Sequence, residues 1–242
     1  MVRVAVVTGA ARGLGRACTE RFCRDGIAVL MVDNDTDALA AAVAEIEAIG
    51  GTARSVAADI TSRSACAEVI GAAVAGWGRV DLLVNSAGVY PRKPVLDIGT
   101  DDWRFVFDVN VLGTYFMMIE AIAVMRGQGS GHIVNVSSID AFKAHPDNAH
   151  YAATKAAVVS LTRSLALEVA PMGIVVNSVA PGPMATEAAK QTDWYEPMVA
   201  GLPTRKPIEP GEVADLVSYL GSDANVSIVG ENVVISGAGV IV

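Results

Sequence analysis

The sequence predicts an α/β fold in which a doubly wound parallel sheet of about seven strands carries helices on both faces. Short apolar segments rich in β-branched residues alternate along the chain with helical patterns, which is the order that builds such a sheet. A glycine-rich turn follows the first of these segments. The 242 residues, of which 52% are hydrophobic and 18% are charged, fit one domain that buries most of its apolar surface. We therefore expect a single domain spanning residues 1–242.

The first predicted strand leads into the glycine-rich turn. Residues Val2 to Gly9, VRVAVVTG, form an apolar run that suits a buried parallel strand, and a helical pattern opens at Gly13-Leu14-Gly15. Glycine suits a backbone that must turn tightly and approach a pyrophosphate, which is bound by free N–H groups and the positive end of the helix dipole. The spacing is G-x-x-x-G-x-G rather than the more common G-x-G-x-x-G, and three glycines alone are equally well explained as a simple turn.

The second predicted strand, AVLMVD, supplies the next part of the pattern. It ends in Asp33, twenty residues after Gly13, where a carboxylate accepts hydrogen bonds from the ribose of an adenosine. Strand, glycines, helix, strand and acid follow one another in the order of a dinucleotide-binding unit. This order predicts a dinucleotide cofactor more specifically than the glycines do.

The remaining elements continue the alternation. A helix through DALAAAVAEIEAIGG precedes the third strand SVAADI, and helix CAEVIGAAVAGWG precedes the fourth strand VDLLVNSAG. A long helix, DWRFVFDVNVLGTYFMMIEAIAVM, leads to the fifth strand HIVNVSS, and a helix from Tyr151 to Glu168 leads to the last strands, IVVNSVAPG and NVVISGAG. Ligands of open α/β sheets bind beyond the carboxyl ends of the strands, so right-handed crossovers bring these ends to one crevice.

Tyr151 and Lys155 are the most informative pair of polar residues. They are four residues apart on a predicted helix and therefore share one face. A Lys ammonium about 5 Å from a phenol, at an effective dielectric constant of about 20, favours the phenolate by roughly 3 kcal/mol, or about two pK units. We therefore expect a lowered pKa for Tyr151, closer to the pH at which an acid–base group works best. For this pair alone, chance placement on an amphipathic helix is the alternative.

At this point the chain resembles the short-chain dehydrogenase/reductase family, in its branch of roughly 250 residues, from Val2 to about Val240. The family pattern T-G-x-x-x-G-x-G is met by Thr8, Gly9, Gly13 and Gly15, and N-N-A-G appears as Asn85-Ser86-Ala87-Gly88. The catalytic residues of the family match Asn110, Ser138, Tyr151 and Lys155, and its later P-G motif matches Pro181-Gly182. Ser86 is one departure. A second is Ile235-Ser236-Gly237-Ala238 in place of V-D-G-G, which puts the local hydrogen bonding of the last strand in doubt.

The resemblance implies a role for each of these residues. Tyr151 would exchange a proton with the substrate, Ser138 would hydrogen-bond the substrate oxygen, and Lys155 would bind the nicotinamide ribose and lower the phenol pKa. Asn110 would hold a water that relays protons through Lys155, and Thr186 would hold the nicotinamide carboxamide. The implied cofactor contacts are Gly9, Arg12, Gly13, Leu14, Gly15, Asp33, Asp59, Ile60, Asn85, Ala87, Gly88, Tyr151, Lys155, Pro181, Gly182, Met184 and Thr186.

Several of these residues have ordinary structural alternatives. Asn110 taken alone is better explained as a buried Asn whose bonds go to the backbone, and Asp59 could equally cap the following helix through Thr61 and Ser62. Adjacent strand residues face opposite ways, so only one of Ser137 and Ser138 faces the pocket, and the family spacing selects Ser138. The three histidines, His132, His145 and His150, show no carboxylate or Cys partner in the sequence, and we expect no metal site.

Two residues disagree about the cofactor. Asp33 would repel the 2′-phosphate of NADP and accept hydrogen bonds from the free hydroxyls of NAD, whereas Arg12 stands where some NADP-preferring relatives carry a basic residue. Asn34 follows Asp33 where a second basic residue would support NADP. We expect NAD rather than NADP.

The expected function is an NAD(P)-dependent interconversion of a secondary alcohol and a ketone by hydride transfer. The variable pocket includes a substrate lid at about residues 185–207, and its expected lining is apolar and aromatic, with Arg92, Lys93 and Lys143 as possible anchors for the substrate. The aromatic and apolar members are Tyr90, Phe142, Met184, Trp194, Tyr195 and Met198. A loop of this length is usually functional or mobile.

Two other functions compete with this one. A 3-oxoacyl thioester reductase acting on an acyl carrier protein needs a basic docking patch, for which the nearby segments offer only Arg126. A regulatory module that binds cofactor without catalysis is disfavoured because the whole catalytic set is present. Neither the substrate nor the physiological direction follows from the sequence.

Charge and composition bound the partners. A net charge of −8 and a sequence pI of about 4.9 argue against a nucleic-acid surface. The N-terminal segment lacks a signal-peptide layout, no apolar stretch reaches the eighteen or so residues of a membrane span, and Cys18, Cys23 and Cys66 are typical of a reducing compartment. We expect a cytoplasmic protein with a small-molecule alcohol or ketone as its substrate. The resemblance implies a homotetramer formed through the two long helices after the fourth and fifth strands, where small residues of YAATKAA allow close approach.

Overall fold

Seven parallel strands form the central sheet of the computed structural model, which describes residues 2–242. Their spatial order is β3-β2-β1-β4-β5-β6-β7, and every neighbouring pair is parallel. The strands are β1 (Val4–Thr8), β2 (Ala28–Asp33), β3 (Ala53–Ala57), β4 (Leu82–Asn85), β5 (Gly131–Val136), β6 (Ile174–Pro181) and β7 (Asn232–Ile235). The predicted doubly wound sheet is confirmed.

Helices cover both faces of this sheet. Helices α1, α2 and α9 pack on one face, and α3, α5 and α6 pack on the other. The helices are α1 (Gly13–Arg24), α2 (Thr36–Ala48), α3 (Arg63–Trp77), α4 (Thr100–Phe107), α5 (Thr114–Gln128), α6 (Ala149–Val169), α7 (Glu187–Lys190), α8 (Tyr195–Ala200) and α9 (Pro210–Leu220). Successive residues of β1 serve the two cores in turn, with Ala5 and Val7 on the α1 side and Val6 on the α3 side.

The long helix predicted after β4 is interrupted. A π-helical turn, Asp108–Gly113, separates α4 from α5 and contains Asn110. Such turns widen the backbone ring locally and are frequent at functional sites. The sequence pattern gives one apolar period throughout, so it predicts one helix and does not reveal the turn.

The strand order produces the crevice that the sequence predicts. The chain leaves β1 towards β2 and β3 and then returns to the other side of β1 to form β4. Helices that follow β1 and β4 therefore lie on opposite faces, and a gap opens beyond the carboxyl ends of these two strands. The glycine-rich turn after β1 and the residues after β4 border this gap.

Ser236 provides the local hydrogen bonding at the end of the last strand, which the absence of the family's Asp had put in doubt. Its hydroxyl oxygen accepts a hydrogen bond from the backbone N–H of Val240 at 3.2 Å and lies 3.1 Å from the carbonyl oxygen of Val240. These contacts close the turn after β7, in which Ala238 has a φ of 62°. A serine therefore serves as the local anchor at this point of the chain.

One helical stretch of residues 2–242 meets the length and mean hydropathy of a membrane span, although Asp108, Asn110 and Glu120 interrupt its apolar residues. The helical stretch Thr100–Gln128 has 29 residues and a mean hydropathy of 1.5 in its most apolar window, so it is long and apolar enough by length and composition alone. Its residues Met117, Met118, Ala121 and Met125 are fully buried in the core between the sheet and α3. These four residues of the stretch therefore belong to the interior of the domain.

Gly9→Ala should destabilise the fold. Gly9 has a φ of +65°, and an added Cβ would lie 2.8 Å from the Cα of Ala87. Left-handed backbone strain and a contact with backbone that cannot move together cost about 2 kcal/mol or more. Equilibrium unfolding in urea measures this loss.

Gly71→Ala is the matched control for Gly9→Ala. Gly71 lies within α3, and an added Cβ there meets nothing within 4 Å. Alanine in a helix interior is favoured over glycine by roughly 0.5–1 kcal/mol, so this variant should be slightly more stable than wild type. A Gly9→Ala protein as stable as Gly71→Ala would contradict the close approach of the two loops.

Candidate active site

A cavity of about 810 Å³ lies beyond the carboxyl ends of the strands. Its walls come from the loops after β1, β2, β3, β4, β5 and β6 and from the first turns of α6. Most of the residues that the sequence selects line this cavity: Gly9, Arg12, Gly13, Leu14, Asp33, Asp59, Ile60, Ala87, Gly88, Ser138, Tyr151, Lys155, Pro181, Gly182, Met184 and Thr186. Gly15, Asn85 and Asn110 do not line it.

Gly15 packs against the backbone of the glycine-rich turn after β1. A Cβ added to Gly15 would lie 2.7 Å from the carbonyl carbon of Gly9, so only glycine allows α1 to begin so close to the loop. Arg12 is the N-cap residue immediately before α1, and its side chain accepts no hydrogen bond from a backbone N–H. The first N–H groups of α1 are thus open to an anion, which fits the pyrophosphate of a dinucleotide. Gly15 therefore has a packing role, and its expected contact with the cofactor stays a prediction.

The carboxylate of Asp33 is held in place by backbone groups. Its Oδ2 accepts a hydrogen bond from the N–H of Ala11 at 3.1 Å, and its Oδ1 accepts one from the N–H of Asp35 at 3.1 Å. A carboxylate has about four acceptor positions, so each oxygen keeps one for a further donor. The position fits the hydroxyls of an adenosine ribose.

Asp35 is a residue that sequence reasoning missed. It forms an ion pair with Arg12, and its carboxylate also caps α2 by accepting from the N–H of Ala38 at 3.1 Å. The hydrogen bond from the Ala38 N–H is the largest cause of a lowered pKa for Asp35, and the hydrogen bond and charge of Arg12 lower this pKa further. An Asp directly before a helical pattern is a sequence signal for a helix cap. The contact between Asp35 and Arg12 is visible only in the structure.

Asn85 faces the interior of the sheet. Its Nδ2 donates to the Oδ1 of Asn135 at 2.8 Å, and Asn135 in turn donates to the hydroxyl of Thr162 at 3.0 Å. The cofactor contact expected of Asn85 stays a prediction, and its side chain joins β4 to β5 directly and to α6 through Asn135. Neighbouring Ser86 and Ala87 do line the cavity, and their N–H groups both donate to the Thr8 hydroxyl at 3.1 Å.

Asn110 uses its whole side chain on protein partners. Its Oδ1 accepts from the N–H of Val89 at 2.8 Å, and its Nδ2 donates to the carbonyl of Val89 at 2.9 Å and to the hydroxyl of Thr154 at 3.0 Å. These contacts match the alternative of a buried, backbone-bonded Asn. The water relay that the resemblance implies stays a prediction, and the side chain itself does not line the cavity.

Ser138, Tyr151 and Lys155 meet at one wall of the cavity. The Nζ of Lys155 lies 5.7 Å from the centre of the Tyr151 ring and donates to the carbonyl of Val136 at 2.8 Å. The hydroxyl of Ser138 accepts from the N–H of Asp140 at 3.1 Å. Ser137 points elsewhere, since its Oγ lies 2.9 Å from the carbonyl oxygen of Val179.

The pKa of Tyr151 is raised, so the expected lowering by Lys155 was wrong for the polypeptide itself. Loss of hydration is the largest cause, and the negative charge of Asp140 adds to it, while a hydrogen bond with Ser138 acts in the opposite direction. Burial also lowers the pKa of Lys155 to about 8. The lowered pKa expected for Tyr151 requires Lys155 to be a charge on a helix face in contact with water. In the structure, Tyr151 and Lys155 instead lie in a poorly hydrated wall of the cavity.

Asp59 lines the cavity and does not cap α3. Its Oδ1 accepts from the N–H of Thr61 at 2.9 Å within a local turn, and the N-cap of α3 is Ser62. With Ile60, it borders the same end of the cavity as Asp33. The position fits the expected adenine contact better than the capping alternative.

His145 has a carboxylate partner that sequence reasoning did not find. Its Nδ1 lies 2.7 Å from the Oδ1 of Asp140, and Asn148 donates to the Oδ2 of Asp140 at 2.5 Å. The three residues lie in the loop between β5 and α6, whose path no spacing rule predicts. Among residues 2–242, no group of three or more His, Cys, Asp or Glu side chains is arranged to hold a metal ion.

The segment predicted as a lid is a loop whose two ends are joined. Met184 and Ile208 pair as an isolated parallel bridge, with the N–H of Ala185 donating to Ile208 at 2.9 Å and the N–H of Ile208 donating to Pro183 at 3.0 Å. Helices α7 and α8 lie between these ends, and Trp194 contributes to the cavity wall from them.

The substrate end of the cavity differs in part from the expected pocket. Tyr90, Arg92, Met184, Trp194 and Met198 line it, and Phe142, Tyr195, Lys93 and Lys143 do not. Lys93 pairs with Asp102 at 2.8 Å, and Lys143 donates to the carbonyl of Gly239 at 3.3 Å.

Comparison with known proteins agrees with this geometry. The model of the short chain dehydrogenase family matches residues 3–196, and the protein belongs to this family. The resemblance stated from its motifs is therefore confirmed. The protein is an oxidoreductase of the short-chain type, a family that uses NAD(P) cofactors.

Individual relatives span several substrates. The 3-oxoacyl-acyl-carrier-protein reductase of Thermotoga maritima is 33% identical over 99% of this chain and 98% of its own length. The L-rhamnose 1-dehydrogenase (NAD(P)(+)) of Azotobacter vinelandii is 35% identical over 97% of this chain and 95% of its own length. The crystal structure of an NAD+-bound xylitol dehydrogenase superposes with a TM-score of 0.91 at 30% identity, covering 97% of this chain and 98% of that one.

The lowered pKa of Lys155 predicts a change of stability with pH. Its ordinary value of 10.5 applies to the unfolded chain, and the folded value is about 8. Between these two pH values the unfolded chain binds a proton that the folded chain has already released, so the free energy of unfolding rises with pH. The contribution is fully present above pH 10.5 and is lost as the pH falls through 8.

Lys155→Met removes this contribution. The difference in free energy of unfolding between wild type and Lys155→Met should increase by about 1.4 kcal/mol per pH unit in the middle of the window. Urea unfolding of both proteins at several pH values measures this difference. The titration of Tyr151 contributes to the free energy of unfolding of both proteins and therefore does not appear in the difference. A difference that stays constant from pH 8 to 10.5 would show that Lys155 is not desolvated.

Proposed function

We propose that the protein interconverts a secondary alcohol and a ketone by hydride transfer, with NAD as the preferred cofactor. The observation that carries this proposal is the meeting of Ser138, Tyr151 and Lys155 at one wall of a cavity that has Asp33 at its other end. When bound, NAD accepts the hydride that leaves the alcohol carbon, and its reduced form returns a hydride to the ketone carbon. The polypeptide supplies alignment, a proton and a hydrogen bond to the substrate oxygen.

Tyr151 exchanges the proton. Its raised pKa keeps the phenol protonated at neutral pH, which is the state that ketone reduction requires. Alcohol oxidation requires the phenolate to take the hydroxyl proton, and Ser138 and Lys155 are the groups placed to stabilise that negative charge. Ser138 donates a hydrogen bond to the substrate oxygen, and Lys155 binds the ribose next to the nicotinamide.

The preference for NAD is supported by two carboxylates. Asp33 is fixed by backbone N–H groups where a 2′-phosphate would be repelled. Arg12, the residue that argues for NADP, is already paired with Asp35. Both side chains of this pair are largely exposed, so the pair is weak, but it opposes any phosphate contact by Arg12.

The alternative function is reduction of a 3-oxoacyl thioester on an acyl carrier protein. The similarity to the 3-oxoacyl-acyl-carrier-protein reductase of Thermotoga maritima favours it. The net charge of −8 opposes it, because an acidic carrier needs a basic surface. A role as a binding module without catalysis is less well supported, since the proton-transferring residues are arranged for use.

The loop of residues 185–207 is proposed as a lid over cofactor and substrate. Its joined ends at Met184 and Ile208 suit a loop that moves as a unit, and Trp194 on it faces the cavity. Closure would exclude water during hydride transfer. Trp194 is also the natural probe of such a movement.

We further propose a homotetramer that acts in the cytoplasm without a nucleic-acid or membrane partner. Large apolar side chains are exposed on α4, on the π-helical turn that follows it and on α6, which suits association through this side of the molecule. They are Trp103, Phe105, Leu112 and Leu167. The acidic net charge supports the absence of a nucleic-acid partner.

Tyr151→Phe should lower kcat by at least about 10²-fold on any alcohol or ketone that wild type uses, because the proton donor is lost. Affinity for NAD, measured by fluorescence titration, should change little. Tyr219→Phe, on an exposed ring of α9, is the matched control and should keep wild-type activity. Wild-type turnover by Tyr151→Phe would overturn the proposed mechanism.

Asp33→Ser should narrow the preference for NAD over NADP chiefly by tightening NADP binding. Asp35→Ser should narrow it to a smaller extent by freeing Arg12, and Arg12→Gln added to Asp35→Ser should restore the preference. Dissociation constants measured by calorimetry test this without turnover. Tighter binding of NADP than of NAD by wild type would show that Arg12 outweighs both carboxylates.

A further inference from the structure

Two charged side chains at the substrate end of the cavity have no part in the proposed hydride transfer. Arg92 lies in the loop after β4, and Asp140 lies in the loop after β5. Both line the cavity that also contains Ser138 and Tyr151. A purely apolar ketone gives these charges nothing to bind.

Arg92 is held in place but keeps its donors free. Its guanidinium carbon lies 4.8 Å from the centre of the Trp194 ring, and its Nη2 lies 3.6 Å from the sulfur of Met198, a weak acceptor. Within residues 2–242, no carboxylate lies at ion-pair distance from this guanidinium. A guanidinium on an aromatic face presents its N–H edge to a carboxylate, which it binds through two parallel hydrogen bonds.

The other cations near the cavity are already engaged. Arg12 pairs with Asp35 at the adenosine end, and Lys155 donates to the carbonyl of Val136. Arg92 is therefore the cation that the described cavity wall offers to a substrate anion.

Asp140 presents a buried carboxylate with spare acceptor positions. Its side chain is 8% exposed, and each of its oxygens contacts one donor, His145 or Asn148. A carboxylate has about four acceptor positions, so one remains on each oxygen. A buried acceptor that faces a cavity favours a ligand with hydroxyl groups, because an apolar ligand would leave it without compensation for lost water.

Both charges lie close enough to act on the reacting position. The centre of the Tyr151 ring lies 6.4 Å from the centre of the Tyr90 ring, and the Tyr90 centre lies 6.5 Å from that of Trp194. The guanidinium of Arg92 stacks on the Trp194 ring. Asp140 raises the pKa of Tyr151 and Arg92 lowers it. Arg92 and Asp140 therefore belong to the part of the cavity wall around Tyr151, where the reacting end of the substrate would bind.

We propose that the substrate is a hydroxy acid, or the corresponding oxo acid, whose carboxylate binds Arg92 and one of whose further hydroxyl groups donates to Asp140. This inference rests on the proposed alcohol–ketone chemistry and names its substrate class. It makes Arg92 and Asp140 determinants of specificity that neither donate nor accept the transferred proton or hydride.

Matched substrates test the inference. Hydroxy acids of three to six carbons, including a six-carbon aldonate, are each compared with the neutral alcohol in which a hydroxymethyl group replaces the carboxylate. Wild type with NAD should give at least a tenfold higher kcat/KM for the acid than for its neutral partner in the best pair. A simple neutral secondary alcohol, 2-butanol, completes the panel.

Variants separate the two contacts. Arg92→Gln should lower kcat/KM at least tenfold more for the best acid than for its neutral partner, and Arg92→Lys should restore part of this difference. Asp140→Asn should lower kcat/KM for polyhydroxy compounds of either charge at least tenfold more than it changes kcat/KM for 2-butanol. Lys143→Gln, which removes a cation outside the cavity, is the matched control and should behave as wild type.

Binding gives a second readout. Fluorescence titration with the aldonate of protein saturated with reduced NAD, which cannot exchange a hydride with a hydroxy acid, should be saturable in wild type and lost in Arg92→Gln, since Trp194 stacks on the guanidinium. Neutral partners that equal or exceed their acids in every pair would overturn the inference, as would turnover of 2-butanol or simple ketones alone. Failure of every alcohol and ketone would instead overturn the proposed function.

Discussion

The side chain of Asn110 joins the parts of the fold on which the candidate active site depends. It lies in the π-helical turn between α4 and α5, bonds both backbone groups of Val89 after β4, and donates to Thr154 on α6. The hydroxyl of Thr154 in turn donates to the backbone carbonyl of Tyr151 at 2.7 Å. One amide thus holds the loop after β4 against the turn of α6 that carries Tyr151. Because the side chains of Asn110 and Thr154 are fully buried, each of their polar groups left unsatisfied would cost about 1–3 kcal/mol.

Burial, more than charge, sets the proton chemistry of this wall. Lys155 and Tyr151 both lose water, which lowers the pKa of the amine and raises that of the phenol. A charge that is directed to the carbonyl of Val136 does not overcome this loss. Tyr151 therefore rests as a proton donor, and stabilising its phenolate requires groups that approach it from within the cavity.

The parts of the site that the backbone dictates could be predicted from the sequence. The glycines after β1 and the acid at the end of β2 follow from the geometry of a parallel sheet, and the structure places Gly9, Gly13 and Asp33 in one cavity. Side-chain direction is a different matter. Asn85 lies on the right strand but points into the sheet, and the choice among Arg92, Lys93 and Lys143 depended on loop paths that spacing does not encode.

Contacts across loops were the other limit. The Asp140 and His145 pair and the Asp35 and Arg12 pair join residues whose distance depends on turns, not on helical or strand periods. The raised pKa of Tyr151 likewise depends on how much water the closed wall excludes. A periodic pattern predicts on which face of a helix or strand a residue lies, but it does not predict how much water surrounds the side chain.

Direct transfer of hydrogen between cofactor and substrate tests the central claim most directly. Reduced NAD carrying deuterium in both positions at C4 of the nicotinamide would be supplied with a ketone that the protein reduces, and the alcohol product analysed by mass spectrometry. The account predicts one deuterium on the carbinol carbon, because the hydride passes between the two carbons with water excluded. Alcohol product without deuterium would contradict it.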